Sequence, residues 1–178
     1  NMLQFADASP GRPTGKAEHL PSCNLAISRA DFEEVGGFPA LSFTACEDVL
    51  FSEAVGASLG GGLCFLNGMR VKHLGRGHLL EFWWHQYQFG HCRAALGLRL
   101  RKVHLRLGRN AWALVPIMLK RLWYILRRAL RWNPAGFLGA VILFPLLLFG
   151  LAGWAMGFRR GCRGETWGPG PGPESRGQ

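Results

Sequence analysis

The longest uninterrupted hydrophobic pattern lies at residues 132–158, which hold 27 positions without a charge and with Asn133 as the one clearly polar side chain. A bilayer core of about 30 Å needs roughly 20 mostly apolar residues at about 1.5 Å each, so the run predicts one transmembrane helix. Pro134 suits the first turn, where its missing N–H is no loss. Pro145 falls mid-span and predicts a kink. Trp132 and Trp154 lie near the two ends, at headgroup level. The competing reading, a buried core helix, accords poorly with arginines at both ends. Just upstream, residues 111–132 set AWALVPIML and LWYIL around Lys120-Arg121 and close on Arg127-Arg128. Those apolar stretches are too short to span, and the pattern predicts an amphipathic helix lying in the interface.

Shorter periodicities fill the rest. Residues 1–20, with Pro10, Gly11, Pro13 and Gly15, read as loop. Ser28 is placed to cap a helix over 29–35, with Asp31 in its first turn and Gly36-Gly37 ending it. Val49, Leu50, Ala54, Val55 and Leu59 follow helical spacing over 47–59, and three glycines stop that helix. A strand over 63–66, the turn signal Asn67-Gly68 and a strand over 69–74 predict a hairpin. Residues 78–96 predict a third helix, rich in aromatics. The Gly/Pro-rich tail, 159–178, reads as disordered.

Composition adjusts this picture in two ways. Net charge is +10, from 21 Lys and Arg against 11 Asp and Glu. Nucleic acid is not the partner this implies, because no binding motif accompanies the charge and the basic residues crowd the apolar run. Lys120, Arg121, Arg127, Arg128 and Arg131 are expected to meet anionic lipid headgroups. The five cysteines are scattered, with no CxxC pair, which argues against a disulfide framework or zinc site and for reduced, mostly buried thiols.

Candidate chemistry centres on Glu47-Asp48. A carboxylate at a helix N-terminus is held by free N–H groups and the dipole, so it stays ionised and directed, as a general base requires. The same residues also serve plain capping, and on spacing alone that reading leads. His73, at a predicted strand end, reads alone as structural.

Several stretches together resemble glycosyltransferase family 2. Cys23-Asn24-Leu25-Ala26-Ile27-Ser28-Arg29, then Phe32 and Glu34-Val35-Gly36-Gly37-Phe38, resembles the stretch before that family's catalytic carboxylates. Glu47-Asp48-Val49 resembles its E-D motif, and Val71-Lys72-His73 stands where the family has a histidine. Trp84-His85-Gln86-Tyr87-Gln88-Phe89-Gly90 resembles the aromatic segment that ends in Y-x-x-G-R, with His91 in place of the arginine. The resemblance covers about residues 20 to 97.

It implies an α/β fold: the C-terminal part of a GT-A-like nucleotide-sugar transferase domain (1–97), a basic interfacial region (98–131), one transmembrane helix (132–158) and the tail. It implies inverting transfer of a sugar from a nucleotide-sugar donor to a hydroxyl of a lipid-linked or surface glycan. Asp48 would be the base with Glu47 beside it, and His73 a ligand for metal or leaving diphosphate. Asn24, Gly36, Gly37, Trp84 and Tyr87 would contact substrate, the two aromatics by stacking on sugar rings. The family uses Mg²⁺ or Mn²⁺ held by an Asp-x-Asp motif, which this chain lacks. The nucleotide- and metal-binding half is therefore expected outside this sequence, and the fragment is expected to be inactive alone. Without a Gln-x-x-Arg-Trp motif, single transfer is expected. A bacterial inner-membrane location with the catalytic part cytoplasmic follows from the donor. The alternative is a non-catalytic membrane protein that binds lipid or a partner through its basic helix.

Overall fold

The computed structural model describes residues 11–40, 45–60, 62–71, 77–99 and 110–164. Helices dominate these residues, and the one sheet is a two-stranded ribbon, so the expected α/β architecture is corrected. Strand β1 (Gly15–Ala17) pairs antiparallel with β2 (Leu63–Phe65), with Lys16 opposite Cys64. Among the described residues the hairpin predicted around Asn67-Gly68 does not form. The turn is there, closed by Met69 N–H on the Leu66 carbonyl at 3.1 Å. Beyond it, however, the Met69 carbonyl accepts from Asn24 Nδ2 at 2.9 Å instead of entering a ladder. Residues 69–71 are exposed and carry no strand, and residues 72–76, including His73, lie outside the described residues. Strand β2 takes its partner from the segment read as loop, about 50 positions earlier, a pairing that no local pattern announces.

Helix α1 (Arg29–Glu34) begins where Ser28 Oγ accepts from Asp31 N–H at 3.0 Å. It ends in paired reverse bonds, Gly37 N–H to Phe32 O at 2.9 Å and Gly36 N–H to Glu33 O at 3.1 Å. That closure needs left-handed backbone, here φ 80° at Gly36 and 69° at Gly37, which glycine adopts without penalty. Helix α2 (Glu47–Ser58) carries Phe51, fully buried, with Phe38 and Phe32 at ring distances of 4.5 and 5.6 Å. Phe51, Val55 and Leu63 form the core of this N-terminal lobe, with Leu25, Ile27 and Val35 packed on it.

Helices α3 (Leu79–Arg99) and α4 (Ala111–Trp132) follow the predicted spans closely. The apolar run after them does not form one helix. Asn133 Oδ1 accepts from Gly136 N–H at 2.9 Å and starts α5 (Pro134–Ile142). Leu143, at φ −93° and ψ 22°, then breaks the chain, and α6 (Phe144–Cys162) leaves at 83° to α5. Pro145 is the physical cause: it has no N–H for the Val141 carbonyl, and its ring crowds that carbonyl. The expected kink is thus a break. No single described helix is long and apolar enough to cross a membrane, although the bent pair reaches that length and composition jointly. The single transmembrane helix over 132–158 is corrected accordingly.

Helix α6 packs along α3 at backbone distance. A Cβ on Gly90 would strike the Trp154 carbonyl, and one on Gly157 the Tyr87 carbonyl. Small residues allow such close approach, so dispersion contacts between main chains replace side-chain interdigitation. Trp154, Phe158 and Cys162 bury against Ala94 and Leu114, while Leu147 and Leu151 bury against Ile125 of α4.

Candidate active site

Where the N-terminal lobe meets α3, α4 and α6, a cavity of about 550 Å³ opens. Asp48 stands on its wall, one residue into α2. The preceding Cys46 is itself left-handed, at φ 72°, and offers no side-chain cap. The Val49 N–H bonds the Cys46 carbonyl at 3.2 Å and also favours the ionised Asp48 carboxylate beside it. Asp48 Oδ2 also accepts from Ser22 N–H at 3.3 Å and lies 3.4 Å from His19 Nε2. Burial alone would push this carboxyl up. The imidazole of His19 and the N–H groups of Ser22 and Val49 outweigh it and hold Asp48 below the ordinary carboxylate range.

Besides Asp48 and a second acid, Glu18, the wall is cationic: Arg12, Lys16, Arg93, Arg121 and Arg128 all line the cavity. Burial, with Arg93 nearby, pulls Arg121 down to about 10, which leaves it charged at neutral pH. Its guanidinium lies 4.6 Å from the Trp154 ring centre, and that of Arg128 lies 4.1 Å from Tyr124 and 4.9 Å from Trp132. Aromatic faces thus replace part of the lost hydration and fix the cations in place. Gln86 faces the same space. Its side chain is 1 % exposed, and its Nε2 finds no acceptor among the described residues. A buried amide N–H without a partner is costly, and an oxygen-bearing ligand would relieve it.

The structure distributes the residues expected from the sequence unevenly. Asp48 lies in the cavity wall, and neighbouring Glu47, half-buried, does not. Asn24 lies outside the wall, its amide spent on tying the turn Ser22–Asn24 to Met69. Gly36 and Gly37 form the stop of α1, away from the cavity. Trp84 and Tyr87 belong to an aromatic cluster with Trp83, whose ring stacks on Tyr87 at 5.7 Å and lies 6.3 Å from Phe149. Core packing against α6, not an open sugar platform, is what Tyr87 does here, at 5 % exposure.

Sequence reading missed His19, Gln86 and Arg93, and it sent all five α4 basic residues to lipid. Arg121 and Arg128 instead face the cavity, whereas Lys120, Arg127 and Arg131 are exposed. Helical spacing held the signal: Gln86, Phe89 and Arg93 share one face of α3, and Arg121, Ile125, Arg128 and Trp132 share one of α4. The thiols divide similarly: Cys46, Cys92 and Cys162 are buried, Cys23 and Cys64 are exposed, and none of the five forms a disulfide.

Two carboxylates, Asp48 and Glu18, and one imidazole among five cations make a poor nest for Mg²⁺ or Mn²⁺, which prefer several oxygen ligands. Among the described residues no group of three His, Cys, Asp or Glu converges on a point that a metal could occupy. The cavity suits an anion. No family model, no curated protein and no solved structure matches this chain.

Proposed function

We propose that this chain supplies the acceptor side and the base of an inverting glycosyl transfer from a nucleotide sugar to a hydroxyl of a lipid-linked or surface glycan. The observation that carries this reading is the cavity itself, where the anchored Asp48 carboxylate shares the wall with five cations and one further acid, Glu18. In the transfer, the acceptor hydroxyl sits against Asp48. Its oxygen attacks the anomeric carbon from the face opposite the leaving diphosphate, and its proton passes to the Asp48 carboxylate. His19 and the Ser22 N–H hold one carboxylate oxygen, Oδ2, and the other is the one assigned to the hydroxyl. The cations of α3 and α4 match the charge of a phosphate or diphosphate, and preset positive groups of this kind stabilise negative charge as it develops. Gln86 Nε2 is placed to donate to a ligand oxygen. No step is assigned to a metal, since the donor set here does not fit one.

The test is nucleotide-sugar turnover by the protein that carries this sequence, as wild type and as Asp48→Asn. Loss of a positioned base typically lowers turnover by about 10²–10⁴-fold, and that loss in kcat at nearly constant KM is the expected result. Full activity in Asp48→Asn overturns the assignment.

A further inference from the structure

Outside the cavity, the molecule keeps a second surface that its chemistry does not use. Trp112, Val115, Leu119, Trp123 and Leu130 run as one exposed stripe along α4, with Trp112 at 83 % and Trp123 at 66 %. At the corner between α5 and α6, Leu138, Val141, Ile142, Leu143 and Leu148 are exposed as well, Ile142 at 69 %. The exposure then stops. From residue 149 to Cys162 Met156 is the single large apolar side chain left open.

We infer that the α5–α6 corner dips into one leaflet of an anionic bilayer and returns, with the outer stripe of α4 lying in the headgroup region. Nothing in this requires glycosyl transfer. Four observations converge on it. Within the α5–α6 pair the exposed large apolar side chains, Met156 apart, lie at positions 138–148 around the corner, whereas a crossing segment would show lipid a surface along its whole length. The nine-residue arm of α5 is only about 14 Å long at 1.5 Å per residue. With the corner pointing inward and each arm tilted, it reaches roughly 10 Å, a single-leaflet depth.

Helix α6 is also bound along its length to α3, which carries Glu81, His85, Gln88 and Arg93. Driving α6 through the bilayer would carry those side chains into hydrocarbon, where charged groups are strongly disfavoured. Finally, residues 111–164 hold eight Lys and Arg and no Asp or Glu. Exposed Lys120, Arg127 and Arg131 flank the stripe, so the surface is complementary to anionic headgroups and to little else that is apolar.

The experiment uses the full chain on sealed vesicles of phosphatidylcholine, alone or mixed equally with phosphatidylglycerol. In a Cys23→Ser, Cys64→Ser background, Glu33→Cys and Arg163→Cys are labelled separately with a membrane-impermeant maleimide. Both sites should label to the same extent before detergent is added, since both stay on the outer side. Binding should require phosphatidylglycerol, and Ile142→Asp should lower the bound fraction about tenfold at unchanged helical content. Tryptophan emission of the unaltered chain should be quenched most by lipids brominated near the headgroup, a readout that needs no variant to fold. Protection of Arg163→Cys until lysis would mean a crossing helix and overturn the inference. So would equal binding to phosphatidylcholine alone, an unaffected Ile142→Asp, or a chain that ignores vesicles and forms dimers through this face.

Discussion

The N-terminal lobe and the α3–α6 pair hold together by different means. In the lobe, short elements converge on one ring: Phe51, fully buried, gathers Phe32, Phe38, Val55 and Leu63 from four separate segments. In the pair, two long helices touch through their main chains, and the decisive residues are glycines, which contribute only the absence of a side chain. One half is fixed by a group that is present, the other by groups that are missing. Asp48 lies at the seam, rooted in the lobe while the cations facing it come largely from the helices.

That contrast breaks most visibly at Phe51. Removing a buried aromatic ring costs about 3–5 kcal/mol. Phe51→Ala should therefore remove amide exchange protection from α2 and β2. Every tryptophan lies at position 83 or beyond, so tryptophan emission follows the helices alone and should change little. Simultaneous loss of both signals would show that the halves fold as one unit.

The reverse break is Gly157→Leu. Its Cβ would meet the Tyr87 carbonyl, which belongs to a hydrogen-bonded helix and cannot step aside. Overpacking of this kind costs about 3 kcal/mol, near the top of its usual range. Tryptophan emission should shift to the red as Trp83 and Trp154 gain water, while protection in α2 survives. Gly139→Leu is the control, since a Cβ there meets nothing and the thermal midpoint should hold.

These two variants also mark what the sequence made legible. Helix spans and caps were readable because their causes are local: Ser28 before Asp31, Gly36-Gly37 after Glu34, apolar periodicity through 47–59 and 111–132. Asp48 was readable for the same reason, as a carboxylate at a helix start. The rest of the cavity was not. Gln86, Arg93, Arg121 and Arg128 matter because helices distant in sequence bring their faces together, and only the packing selects those faces. The pairing of β1 with β2 was equally invisible, since three residues carry no pattern of their own. The break at Leu143 was half legible: Pro145 announced a disturbance, but composition cannot separate a kink from a right-angled turn.

A smaller effect sharpens the comparison at the seam. Because the folded carboxyl of Asp48 is held below its ordinary value of 3.8, it stabilises the fold fully above that pH. The contribution is lost as pH falls through the lower folded value. Wild type should thus exceed Asp48→Asn in urea midpoint at pH 7, and the gap should close as the pH drops below about 4. Because the carboxylate is bonded to Ser22 and paired with His19, the loss should appear first in the exchange of residues 19–24.

The smallest expected effect tests whether the lobe depends on local signals at all. Helix α1 has six residues and no fully buried side chain, and Phe32 is its one ring against the Phe51 core. Its one capping bond runs from Asp31 N–H to Ser28 Oγ. Ser28→Ala leaves that N–H to water and should cost about 1 kcal/mol, whereas Ser28→Asp keeps an acceptor and should cost little. Both are read as urea midpoints by far-ultraviolet dichroism and exchange. In the lobe the loss should be confined to α1 and to the Phe32 contact with Phe51. A loss that also reaches α3 and α6 would mean that the seam transmits strain, and the lobe could not then be treated as a separate unit standing over the helical pair.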